Sequence, residues 1–226
     1  MSGILREVRP HLIEAARMSG SCSKVRKEFK ENGYCEMSLE VLAQLRTQEG
    51  HSAKISTDGG YVAEWIIYAP EQLPRLVRPF LTLAGINKAV NDHEKHEEFY
   101  VSKKQYARAL QNSIEIFKEH TDIDTTSFGN NPSTVWMFGR NNSRTAKAYG
   151  EFLRTPVGSE QMYIERMRIE LLEADYVCAQ KRPFARKVWI GGLSENSVVD
   201  CTLKGLDMSN MYWGARVLHA REIIRE

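Results

Sequence analysis

The chain has 226 residues, 42% hydrophobic and 27% charged, with a formal net charge of +2. That is an ordinary composition for a folded domain, long enough for one large domain or two small ones with a real apolar core. No window approaches about 18 uninterrupted apolar residues, so no transmembrane helix is expected. The first ten residues are charged at once and lack a signal-peptide apolar region, which points to a cytoplasmic protein without membrane association.

The first 48 residues read as helical. Leu5, Val8, Leu12, Ile13 and Ala16 fall at helical spacing, and Ser19-Gly20 ends that helix. A second helix is predicted from Ser21 or Ser23 to Asn32, with Val25 and Phe29 four apart on one face. Asn32-Gly33 is a stop signal. Ser38 caps a third helix whose apolar stripe is Leu39, Leu42 and Leu45. The pattern then changes. Thr57 to Gly60 forms a turn, and Tyr61 to Tyr68, rich in aromatic and β-branched residues, reads as a strand. Residues 71–84 look helical in pattern, broken or kinked by Pro74 and Pro79. Glu98 to Val101 reads as a short strand, and Ser102 caps a helix predicted to run to about His120. Residues 121–134 form a long polar loop. Val135 to Phe138 reads as a strand, Thr145 to Leu153 as a helix, and Ser159 to Gln180 as a long core helix. Ala185 to Ile190 and Val198 to Leu203 read as strands. Trp213 to Ile224 is left open between helix and strand by its pattern.

The fold class expected from this order is α+β. A helical N-terminal subdomain, residues 1–50, packs on a mixed helix and small-sheet domain, residues 51–226. The N-terminal helices resemble a helix-turn-helix in outline, with Glu40, Gln44, Arg46, Thr47 and Gln48 presented by the third helix. Against that outline, the turn from Asn32 to Met37 is long, and Glu36 and Glu40 would face a DNA backbone. A plain helical cap on the larger domain is the alternative.

The richest stretch for chemistry is Phe138 to Lys147. A polar turn leading into a helix N-terminus holds phosphate well. Arg140, Arg144 and Lys147 would neutralise phosphates, and Asn141, Asn142 and Ser143 would supply hydrogen bonds. Trp136, Phe138 and Tyr149 could stack on unpaired bases. The alternative is a solvated turn whose cations pair with acids such as Glu151. No P-loop or dinucleotide-binding glycine pattern is present. Basic residues also gather at 1–30, including Arg6, Arg9, Arg26 and Lys27, and at 181–188, including Arg186 and Lys187. Lys103, Lys104 and Arg108 read as a solvated helix face that could add to a phosphate pocket.

Other constellations are weaker. Asp92 to Glu98 crowds His93 and His96 among acids, but three apart rather than the four that a zinc-protease helix needs, so an exposed acidic turn is the simpler reading and no metal is expected. His96, His120, Tyr149 and His219 are scattered general-base candidates without a nucleophile signature. Cys22, Cys35, Cys178 and Cys201 lack C-x-x-C spacing and read as reduced thiols. No cofactor is implied. The expected function is therefore binding of RNA or DNA, in a protein of viral, phage or mobile-element type. The phosphate backbone would meet the 139–147 loop and the flanking basic clusters. Two alternatives stand beside it. One is an enzyme acting on a phosphate-bearing small molecule or nucleotide. The other is an interaction or structural subunit, such as a host-factor inhibitor, with a protein partner or a second copy of the chain and with Trp136 and Trp213 as interface anchors.

Overall fold

The clearest strand signal in the sequence lies at the centre of the molecule. The computed structural model describes residues 13–78, 98–117, 119–155, 164–193, 197–203 and 210–217. In chain order these form β1 (Ile13–Gly20), α1 (Cys22–Glu31), β2 (Cys35–Glu36), α2 (Leu39–Glu49), α3 (Lys54–Thr57), β3 (Gly60–Tyr68), β4 (Arg75–Val77) and β5 (Phe99–Tyr100). There follow α4 (Lys103–Leu110), β6 (Ser113–Glu115), β7 (Thr121–Asp124), a 3₁₀ turn (Thr125–Ser127), α5 (Pro132–Gly139) and α6 (Ser143–Leu153). The last elements are β8 (Arg166–Glu170), α7 (Ala174–Ala179), β9 (Phe184–Ile190), β10 (Val198–Asp200) and β11 (Asn210–Val217).

All eleven described strands join one mixed sheet, whose main path runs β1-β11-β3-β9-β10-β8-β7. β2 adds to β11, β4 joins β3 to β6, and β5 pairs with β9. The outermost described strands in sequence, β1 and β11, pair antiparallel from Ile13 opposite Val217 to Gly20 opposite Asn210.

β3 is buried along its whole length because the sheet is covered on both sides, which is why its sequence is a continuous apolar run rather than an alternation. Val62, Ile66 and Tyr68 enter the larger core with α2, α5 and α6, while Tyr61, Trp65 and Ile67 enter a smaller core with α1. The β3–β9 register slips between Tyr61 and Trp65. Within the slip, the Ala63 amide donates to the Met37 carbonyl. Glu64 is turned toward α2, where its carboxylate accepts from the Leu39 amide at 3.0 Å. Re-aiming a side chain is what a bulge of this kind does. Two glycines permit close packing. A Cβ on Gly214 would lie 2.7 Å from the Phe29 ring of α1, and one on Gly150 would lie 2.3 Å from the Thr125 carbonyl oxygen.

This architecture corrects the expected fold class. A broad sheet, not a helical subdomain on a small sheet, organises the chain. Ile13 to Gly20 is strand β1 and not the end of a helix. The Glu-Ala-Ala-Arg stretch favours helix locally, but pairing with β11 overrides that preference. The helix expected from Ser102 stops at Leu110, and β6 follows it. The long polar loop contains β7, a 3₁₀ turn and the start of α5. Val135 to Phe138 is helical because Asn131 caps the Ser133 and Thr134 amides and Pro132 occupies the first turn. Within the expected helix 159–180, Arg166–Glu170 is a strand that alternates exposed and buried, with Met167 and Ile169 inward. The α1, α2, β3 and α6 segments form as expected. Leu5, Val8, Arg6, Arg9, Pro79, residues 92–97 and His219 lie outside the described residues.

Candidate functional site: a cationic cleft beside the α5–α6 turn

The residues expected to bind phosphate do not converge. Lys187 is fully buried on β9, its ammonium 2.8 Å from the Glu36 carboxylate and 4.9 Å from the centroid of the Trp65 ring. Arg26 reaches the same carboxylate at 2.7 Å from α1. Arg186, next to Lys187 and on the opposite sheet face, is buried in an ion pair with Glu98 and donates to the Thr202 carbonyl. These cations neutralise buried acids, and a buried charge tolerates its surroundings only when so paired. On the surface, Lys27 lies 3.8 Å from Glu31 and Lys147 3.7 Å from Glu151, each one helical turn away.

The α5–α6 turn explains the remainder. Arg140 and Asn141 adopt positive φ values of 48° and 72°, reversing the chain so that the Asn141 amide reaches back to the Val135 carbonyl at 3.1 Å. Asn tolerates this backbone, whereas Arg is strained in it by roughly 1–2 kcal/mol. Asn142 caps α6, its side-chain oxygen accepting from the Arg144 amide at 3.0 Å and the Thr145 amide at 3.4 Å. The cap thus occupies two of the amides at this helix N-terminus. Arg140, Asn141, Asn142, Ser143, Arg144 and Lys147 are all exposed.

Asn141 does belong to a site. It lines a cleft of about 280 Å³ together with Val77, Arg78, Arg108, Ala109, Asn112 and Trp136. β4 supplies Val77 at its end and places Arg78 just beyond. The last turn of α4 supplies Arg108 and Ala109, and Asn112 follows in the turn toward β6. Trp136, half-buried on α5, forms the aromatic wall, with the Arg78 guanidinium carbon 4.8 Å from its ring centroid. Among the described residues, no carboxylate lines the cleft. Among the described residues, no acid lies within ion-pair distance of Arg78 or Arg108. The charge that bears on Arg78 from within is that of Glu64. Burial pushes the Glu64 carboxyl up to about 7, against the opposing Leu39 amide and the charges of Lys187 and Arg78.

Of these liners, Asn141, Arg108 and Trp136 stand out in the sequence, and Arg78 and Asn112 do not. Only the pairing of β4 with β6 brings those two to the same opening. No local motif marks them.

The other candidates resolve differently. Arg46, expected at a DNA surface, is fully buried. It donates to the carbonyls of Ile55 at 2.9 Å and Gly191 at 2.8 Å and to the Tyr149 hydroxyl at 3.3 Å. Leu39, Leu42, Ala43 and Leu45 bury one face of α2 beside it, while Thr47 and Gln48 are exposed and Glu40 and Gln44 half-buried. Tyr149 is thus a core residue, while His120 is exposed, with Nδ1 accepting from the Leu171 amide and Nε2 facing Glu173 at 3.3 Å. They share no site. Among the described residues no cluster of three or more His, Cys, Asp or Glu side chains gathers as a metal site. No described helix is long and apolar enough to cross a membrane. All four cysteines are free, and burial pushes the Cys22 thiol up to about 11.

No family model and no curated protein matches the chain. A solved structure described as "Accommodation of massive sequence variation in Nanoarchaeota by the C-type lectin fold" superposes with a TM-score of 0.62 at 11% identity. The match covers 92% of this chain and 100% of that one. At that identity the likeness concerns the fold, which is of the C-type lectin type. Together with the buried, paired state of Arg186 and Lys187 and the pairing of Arg26, it overturns the expectation of a nucleic-acid-binding protein and of a viral, phage or mobile-element type.

Proposed function

We propose that the chain is a recognition module that binds a protein partner through the cleft lined by Arg78, Arg108, Asn112, Trp136 and Asn141. The observation that carries this reading is a concave surface holding two guanidiniums, two amides and one aromatic wall, with no carboxylate among its described liners. Such groups, poised on secondary-structure ends and a tight turn, are what a binding site needs to fix a partner's orientation. Arg and Trp are also the side chains that dominate protein interfaces when they become desolvated. The fold supports the reading in a second way. Its neighbour is described as accommodating massive sequence variation. Here Val77 and Ala109 tie the floor of the cleft to the smaller core, while Arg108 and Asn141 stand exposed on it, so those surface side chains can change without unfolding the scaffold.

The test compares the full chain with Arg108→Glu, whose side chain is exposed and whose replacement leaves the core intact. A partner retained stoichiometrically by the parent chain, cross-linked near Trp136 or Asn141 and lost with Arg108→Glu, supports the reading. Identical retention by both proteins, or cross-links confined to another face, rejects it.

A further inference from the structure

The chemistry of the cleft narrows the partner further, and this step rests on the recognition reading above. We infer that the cleft receives an acidic side chain of a peptide segment, with its carboxylate between Arg78 and Arg108.

Three features lead there. First, Arg78 and Arg108 line one opening, and among the described residues no carboxylate lines it with them. A guanidinium offers donors in a planar fork that fits a carboxylate, and two such groups with no described acid among the liners can offer that role to a ligand. Glu64 lies behind Arg78 and does not line the cleft. Second, the walls are not uniformly charged. The half-buried Trp136 ring provides apolar surface beside the guanidiniums, with the buried Val77 and Ala109 beneath. That combination suits the methylene stem and carboxylate of a glutamate better than a fully hydrated inorganic anion, which gains nothing from an apolar wall. Third, Asn112 and Asn141 stand at the rim with both donors and acceptors on their side chains. A peptide backbone flanking the acid presents both kinds of group, whereas a phosphodiester backbone presents acceptors only. The φ of 72° at Asn141 fixes where that amide starts from.

The volume sets the scale. A cleft of about 280 Å³ takes one side chain and not a folded element. The acid therefore acts as an anchor within a larger contact. Its affinity alone is modest, and its value is in selecting which partner docks and in which register.

The experiment uses fluorescence anisotropy with a labelled peptide of glutamates spaced by alanines, its glutamine counterpart, and a single-stranded oligonucleotide of equal charge. The glutamate peptide is expected to bind at least about tenfold tighter than the glutamine peptide, and Arg108→Gln and Arg78→Gln each to remove most of that difference. Asn141→Ala is expected to weaken the peptide while leaving competition by free glutarate unchanged. Equal binding of the two peptides overturns the inference, as does indifference to Arg108→Gln. Tighter binding of the oligonucleotide through the same two arginines overturns it as well, by making the cleft a general polyanion site. If the peptide fails while a partner is still captured in an Arg108-dependent way, the acidic anchor is wrong and the recognition reading survives.

Discussion

The sharpest energetic prediction concerns Glu64. It is 2% exposed, on a fully buried strand, and its carboxyl is pushed from an ordinary 4.5 up to about 7, chiefly by burial. An acid whose folded pKa is raised is favoured in its neutral form by the native state. The associated stability is fully present below about pH 4.5 and is lost as pH rises toward about 7. At about 1.36 kcal/mol per pH unit, that interval corresponds to about 3 kcal/mol. Glu64→Gln keeps an oxygen to accept the Leu39 amide but cannot ionise. Expressed as variant minus parent, stability should therefore shift in favour of the variant by up to about 3 kcal/mol between pH 4.5 and pH 8. Taking the difference cancels the titration of every other carboxylate. Urea unfolding of both proteins at pH 4.5, 6 and 8 measures it. A difference that does not change with pH would refute the reasoning, since it would mean that Glu64 ionises as readily inside the protein as in the unfolded chain.

Two further substitutions probe the scaffold. Arg46→Lys retains the charge but lacks the fork that reaches the Ile55 and Gly191 carbonyls together, so stability should fall by about 3 kcal/mol, read from the urea midpoint. An unchanged midpoint would show that charge alone suffices there. Arg140→Gly should raise stability by about 1 kcal/mol, because glycine adopts a φ of 48° without the penalty a Cβ imposes. A loss of stability in thermal unfolding would mean that the arginine side chain supplies more than the backbone costs.

Several elements were legible because their signals are local. Ser38 announces α2, the aromatic and β-branched run announces β3, and Ser102 starts α4 with a complete capping box. The α5 signal was also present, since Asn131-Pro132 is a cap followed by a first-turn proline, but the apolar run after it resembles a strand. The Arg-Met-Arg-Ile-Glu alternation of β8 was likewise present and was masked by apolar residues around it. β1 had no local signal, because its strand state is imposed by a partner far along the chain. The site followed the same rule. Asn141 stood out by composition, whereas Arg78 and Asn112 acquire meaning only when β4 and β6 pair. Charge clustering misled for a physical reason. A basic run in sequence says nothing about depth, and Arg186 and Lys187, adjacent on a strand, point to opposite faces and into separate ion pairs.

The pairing of β1 with β11 sets the timing of folding. Glu14 and Arg216 form an ion pair across 202 positions, so a chain emerging from a ribosome exposes β1 until β11 has been made. At about 5–20 residues per second, that strand waits on the order of ten seconds or more with its edge unpaired. Contacts this distant make for slow folding and leave the nascent edge open to association with other chains. A chaperone that occupies β1 until β11 arrives would cover the interval in which that edge is most open to association.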